Sequence, residues 1–298
     1  MPVSGTPVSL RHGDYAAEIA SVGASLRSLT TGGRDLVVPF DVDEVRPLFR
    51  GAVLVPWPNR IVDGRYSFDG TAQQVSLTEP DRGNALHGLA AWTDYRVVER
   101  SESAAVLEAE VPAQAGYPHR LRIRVRHALG DDGLTVTTTA TNTGPTRAPY
   151  GTAPHPYLVG GPGRVDDWDL EVPAASVLEV DPERLVPRGL QRTADGPFDF
   201  TRSVRIGDRF VDHALTGLTE GRARVTGQDG HGVEIVWDAA VGPWVQVHTG
   251  DRPEPEYHRR GLAVEPMTCP PDAFNSGTDL VVLEPGDGHA LTWRIAAL

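Results

Sequence analysis

Apolar and polar residues alternate with a period of two along most of this chain, and short turn signals punctuate the alternation. In the clearest stretch Leu121, Ile123 and Val125 alternate with Arg122, Arg124 and Arg126. Asp131-Asp132-Gly133 follows as a turn, and Leu134 to Thr141 resumes as a threonine-rich strand. Successive side chains on a strand point to opposite faces, so this pair predicts an antiparallel sheet with one face on a core and one on solvent. Arg65 to Phe68, Asp69-Gly70 and Gln74 to Leu77 predict a hairpin, because Asp-Gly accepts the positive φ of the favoured two-residue turns. Val233 to Trp237 and Trp244 to His248 predict a further strand pair, and Leu291, Trp293 and Ile295 place the closing strand within a sheet. No long helical stripe interrupts the pattern, and no internal repeat or linker-like stretch divides it. The expectation is an all-β protein, a large antiparallel two-sheet β-sandwich forming one domain over residues 1–298.

Composition narrows the chemistry. Gly 32 and Pro 25 without a three-residue repeat fit many turns, and the formal net charge of −12 makes the chain a poor partner for nucleic acid. Every basic residue is arginine. Without a lysine ε-amine, Schiff-base catalysis, pyridoxal phosphate attachment and the P-loop are excluded. The one cysteine, Cys269, forms neither an internal disulfide nor a thiolate zinc cluster, and as a free thiol it is expected to be buried. Met1 to Gly5 lacks the charged start of a secretory leader, and no apolar run is long enough to cross a membrane as a helix. These features predict a cytoplasmic protein with no membrane partner, no metal and no cofactor.

Four loop-flanked segments concentrate residues that a sandwich core does not need: Pro56 to Arg60, Asn84 to Gly88, Thr152 to Tyr157, and Ala263 to Thr268. His155 and Glu265 each precede a proline, which restricts the backbone and makes a side chain easier to aim. Each also reads as a polar turn residue. His87 reads equally as a half-buried histidine bonded to a carbonyl, Arg60 as an exposed sheet-edge residue, and Asp212-His213 as either a turn or a ligand. Trp57, Trp92 and Trp244 read as core or rim aromatics, although an aromatic face also suits a sugar ring. His119, His127, His231 and His289 receive no role.

Taken in order, these segments resemble the aldose 1-epimerase, or galactose mutarotase, family over nearly the whole chain. Pro56-Trp57-Pro58-Asn59-Arg60-Ile61 with Gly64 to Gly70 is similar to the family's Asn-Arg-Ile stretch and its hairpin. Asn84 to Gly88 is similar to its Asn-x-x-His-Gly, His155-Pro156-Tyr157 to its His-x-Tyr, and Asp212-His213 to its Asp-His. The strongest likeness is Gly261 to Glu265 with Pro271-Asp272-Ala273-Phe274-Asn275. One departure is Pro154 before His155, where many members carry asparagine.

The resemblance implies a β-sandwich isomerase that interconverts the α and β anomers of a free aldose by acid/base ring opening and reclosure, without cofactor. Its substrate would be a hexose such as glucose or galactose, and the protein a monomer or homodimer. Glu265 and His155 would be the catalytic base and acid, since at ordinary pKa values the carboxylate is ionised and the imidazole is poised to donate, so that the pair needs little tuning. Arg60, His87 and Asp212 would bind substrate hydroxyls. Three alternatives stand beside this one. They are a non-catalytic carbohydrate-binding or sugar-sensing protein, a glycosidase using Asp212 and Glu265 as a carboxylate pair, and an epimerase of a phosphorylated or acidic sugar, which Arg50 and Arg60 would suit.

Overall fold

The strands Leu121–Gly130 and Gly133–Asn142 pair in unbroken antiparallel register, with Gly130 opposite Gly133 across the two-residue turn Asp131-Asp132. The computed structural model describes residues 2–298, and strands make up most of its regular structure. On the outer face of this hairpin Arg122 Nε meets Glu110 at 3.1 Å and Arg124 Nη1 meets Glu108 at 3.4 Å. Exposed pairs of this kind contribute about 1 kcal/mol at most, so the buried face of Leu121, Ile123, Val125 and Val136 holds the sheet.

The hairpin belongs to a nine-stranded antiparallel sheet, and the closing strand Gly288–Ala297 lies inside it, between Gly133–Asn142 and Gly232–Trp237. A six-stranded antiparallel sheet is the second layer, in the order Tyr157–Leu158, Leu262–Met267, Trp244–His248, Asp212–Leu218, Ala174–Val180 and Pro187–Arg192. One face of it sends Val177, Leu215, Val245, Val247 and Val264 into the core that receives Leu121, Val136, Ile235 and Trp293 from the nine-stranded sheet. A four-stranded N-terminal sheet over residues 7–35 adds Leu10, Ile19 and Leu29 to that core. The predicted two-sheet sandwich is thus the architecture.

Two local expectations are corrected. Gly232–Trp237 and Trp244–His248 do not pair. They lie in different sheets, and the segment between them crosses from one layer to the other, with Trp237 Nε1 donating to Gly242 O at 2.8 Å. In the predicted hairpin the second strand is Thr71–Gln74 and not Gln74 to Leu77. The turn holds only Asp69 and Gly70, at φ 49° and 73°, so Thr71 already stands opposite Phe68. The only α-helix among the described residues is the single turn Ala273–Ser276, and no helix is long and apolar enough to cross a membrane. Cys269 is buried as expected, and burial pushes its thiol up to about 12, which leaves it inert as a nucleophile.

Candidate active site

The strand Leu262–Met267 is buried on both faces, so its alternation sends Val264 into the main core and Glu265 to the opposite side of the sheet. Residues opposite each other in an antiparallel ladder share a face. Gln246 stands opposite Glu265 and Asp212 opposite His248, which assembles four polar side chains into one block. Small apolar clusters flank it: Leu178, Ala214, Trp244 and Met267 on one side, and Val38, Tyr157 and Ala263 on the other.

The facing wall comes from a short ladder of Arg60–Val62 with Asn84–Leu86. Immediately beyond it Asn59 and His87 both adopt left-handed backbone, at φ 53° and 61°, and the His87 amide donates to Asn59 O at 2.8 Å. Such conformations cost about 1–3 kcal/mol each and persist only where the surroundings enforce them. His155, between Pro154 and Pro156, is fixed by backbone bonds on both sides: its amide donates to Ala52 O at 3.0 Å and its carbonyl accepts from Gly51 N at 2.8 Å. Its imidazole stacks on Tyr157 with centroids 5.3 Å apart and meets His87 edge-on at 5.1 Å, and Phe49 lies 4.8 Å from His87.

These walls enclose a cleft of about 450 Å³, and all five residues singled out from the sequence, Arg60, His87, His155, Asp212 and Glu265, line it. None of the three tryptophans does. Trp57 and Trp244 are buried and donate to Ala85 O and the Asp279 carboxylate, while Trp92 lies on the surface with the Arg46 guanidinium 4.4 Å above its ring. The aromatic surface of the cleft is instead Phe49, Tyr157 and Phe210. The Pro271 to Asn275 part of the motif is also outside the cleft. Asp272 accepts from Val62 N at 2.9 Å and from Asn275 Nδ2 at 2.7 Å, fastening the strand that carries Arg60. His119, His127, His231 and His289 lie elsewhere.

Among the lining residues that escaped the sequence reading are Gln246, His248 and Glu79. Gln246 and His248 carried a signal, since two polar residues two apart in an apolar strand mark one polar face. Glu79 carried none. It grips Arg60 through both carboxylate oxygens, at 2.8 Å to Nε and 2.9 Å to Nη2, while Arg60 Nη1 donates to Asn59 Oδ1 at 3.2 Å. This leaves N–H groups to spare on both Nη atoms of Arg60. Burial opposes the charge on both partners, yet their mutual pairing raises Arg60 and lowers Glu79. Arg50 donates to Pro39 O at 3.2 Å and lies over Tyr157 and Tyr257, outside the cleft.

Asp212 accepts from Gln246 Nε2 at 2.7 Å, and His248 Nδ1 faces its other oxygen at 3.8 Å. Burial works against its charge, but His248, Arg60 and the Gln246 hydrogen bond outweigh that and hold Asp212 below the usual carboxylate range. His155 Nε2 lies 3.4 Å from Glu265 Oε1, and both side chains are almost completely enclosed. Mutual attraction would charge both groups, but desolvation is stronger. Burial, reinforced by the Asp212 charge, holds the Glu265 carboxyl well above 4.5, and burial brings His155 down to about 3. The expectation that ordinary pKa values suffice is therefore corrected: the enclosure drives the pair to its neutral form. Among the described residues no group of three or more His, Cys, Asp or Glu side chains is arranged to hold a metal ion.

Residues 7–296 match the family model described as Aldose 1-epimerase. The chain is 38% identical to the uncharacterized protein YihR of Escherichia coli K12, across 99% of this chain and 94% of that relative. It is 29% identical to the aldose 1-epimerase of the same organism, across 55% of this chain and 48% of the relative. Among solved structures, the GalM/aldose epimerase homologue from C. elegans superposes with a TM-score of 0.87 at 20% identity, covering 98% of each chain. The galactose 1-epimerase of Lactobacillus acidophilus superposes at 0.83 with 20% identity, covering 98% of this chain and 94% of that one. At these identities the superpositions speak for the fold.

Proposed function

The chain belongs to the aldose 1-epimerase family, and from that premise we propose that it acts as one domain to interconvert the α and β anomers of a free aldose without a cofactor. One observation carries this reading: an enclosed His155–Glu265 pair, 3.4 Å apart, in a cleft that also holds Arg60, Asp212 and Gln246 beside an aromatic surface. Ring opening removes a proton from the anomeric hydroxyl and delivers one to the ring oxygen, and reclosure on the other face of the aldehyde reverses both transfers. These two oxygens share one carbon, so the acid and the base must be neighbours. A neutral pair holds the single proton that the reaction borrows and returns. Each transfer supplies about 10²–10⁴ in rate, or roughly 3–5 kcal/mol, which is ample for a reaction that already proceeds in water.

In this reading Arg60 donates its spare N–H groups to a hydroxyl, His87 borders the reacting carbon, and Asp212 accepts from hydroxyls farther away. The cavity lies toward the lower end of small-molecule sites, about 300–1,000 Å³, as suits a monosaccharide. Arg50 and Arg60 are both engaged within the protein, which favours a neutral hexose such as glucose or galactose. A second reading, the same reaction on an acidic or phosphorylated aldose, is favoured by Arg252. It lines the cleft and forms no ion pair among the described residues.

Exchange between α and β anomeric protons, followed by NMR with the wild-type protein and Glu265→Gln, tests the proposal. Acceleration by wild type that is lost in the variant is the expected result. Parallel runs with neutral and anionic hexoses separate the two readings, and tight binding without exchange would replace both with a sugar sensor.

A further inference from the structure

The strand Trp244–His248 ends on a histidine that the acid/base mechanism leaves unused. His248 stands directly opposite Asp212 in the ladder, on the cleft face, and its ring packs edge-on against Tyr157 with centroids 6.4 Å apart and an interplanar angle of 76°. Nδ1 is sealed from solvent without a hydrogen-bond partner and faces Asp212 Oδ2 at 3.8 Å, too long for a hydrogen bond but close enough to feel the charge. The other carboxylate oxygen of Asp212 is occupied by Gln246 Nε2. The negative charge beside Nδ1 favours the tautomer with its proton there. It therefore leaves Nε2 as a lone pair with no donor from the protein. Burial keeps the ring neutral against the pull of Asp212.

We propose that His248 is a specificity-determining residue whose Nε2 accepts a hydrogen bond from one hydroxyl of the aldose, oriented by Asp212 behind it. The inference rests on the epimerase reading and deepens it. An imidazole lone pair in an enclosed site welcomes a group that carries a hydrogen. It rejects one that offers only acceptors, such as an ether or a carboxylate. His248 and Asp212 would then select for a hydroxyl at a single ring position while His155 and Glu265 act on the anomeric centre.

The test combines His248→Phe, which keeps a ring but removes both nitrogens, with a set of singly deoxygenated aldoses. On the parent aldose the variant should lose about 3–10-fold in kcat/KM, mostly through KM. The deoxy aldose lacking the contacted hydroxyl should be insensitive to the substitution, and the others should show the full loss. An equal loss on every aldose would mean a purely structural role, and no loss on any would mean no contact; either overturns the inference. Imidazole ¹⁵N shifts give a readout independent of turnover, with the His248 signal assigned by its absence in the variant. A shift at Nε2 on adding aldose supports the contact even if wild type fails to accelerate exchange, a result that would sink only the epimerase reading. An unmoved signal at saturating aldose overturns the contact.

Discussion

His155 Nε2 lies 3.4 Å from Glu265 Oε1, and burial opposes charge on both residues. Glu265→Gln preserves the size of the side chain and its neutrality but removes the proton it exchanges, and His155→Gln does the same for the imidazole. Each should slow anomer exchange by about 10²–10⁴-fold while leaving thermal unfolding close to wild type. Exchange NMR and a melting curve on the same samples check this. Undiminished exchange in both variants would remove the pair from the mechanism.

The same pair sets the pH dependence. Catalysis needs one proton shared between the two groups, so activity fails when the pair gains a second proton or loses its only one. His155 is displaced from 6.5 to about 3 and Glu265 is raised well above 4.5. The acid limb of kcat/KM should therefore fall well below 6.5, and the alkaline limb should follow ionisation of Glu265. Initial rates between pH 4 and 9 provide the check; an acid limb centred near 6.5 would mean that another histidine governs the rate.

Arg60 depends on Glu79. With both side chains nearly buried and doubly bonded, Glu79→Ala strands the guanidinium among Asn59, Asp212 and the cleft wall. Leaving a buried charge without its partner costs about 3–5 kcal/mol, and some solvent reaches this pair, so about 3 kcal/mol is expected. Chemical denaturation measures that loss, and KM should rise as Arg60 moves.

His127 links pH to stability away from the cleft. It sits on the strand Leu121–Gly130 with burial alone lowering it from 6.5 to about 3. Below 6.5 the unfolded chain takes up a proton that the folded one refuses. The stabilisation from the neutral ring is thus complete above 6.5 and lost as pH falls toward 3, by about 1.4 kcal/mol per pH unit. His155 follows the same sign. His127→Leu should flatten the acid side of the stability profile by one proton's worth, measured by urea unfolding between pH 4 and 7.

Strand periodicity made the sandwich legible because one face of each long strand meets a core and the other meets water, as at Leu121 to Arg126. It failed where both faces are buried. Trp244–His248 offers no solvent side, so its partner in the sheet was not visible from alternation, and neighbours in sequence were joined in error. Of the five site residues, His155 and Glu265 stand out through the proline that follows each, whereas Arg60, His87 and Asp212 are legible only through the family resemblance of their segments. Glu79, Gln246 and His248 act through register and through partners far off in the chain. Glu79 meets Arg60 19 residues earlier, and Gln246 meets Asp212 34 residues earlier. No local pattern encodes such pairings.

Gly88 joins the backbone to the site. It adopts φ 73°, a β-carbon there would overlap the Val55 carbonyl oxygen, and Val55 in turn accepts the amides of Leu89 and Ala90 at 2.7 and 3.0 Å. The crowding atom is backbone and cannot swing aside, so Gly88→Ala must displace either the strand Val53–Leu54 with its continuation or the loop that begins with His87. Strain at such a position costs about 1–3 kcal/mol before any clash, and a total loss above about 2 kcal/mol is expected. The His87 ring contacts Phe49 and His155, so its displacement should lower exchange activity even at temperatures where the variant remains folded. Denaturation and exchange rates measured side by side distinguish the two losses, and a Gly88→Ala protein with wild-type stability and rate would show that this close approach is not needed to hold His87.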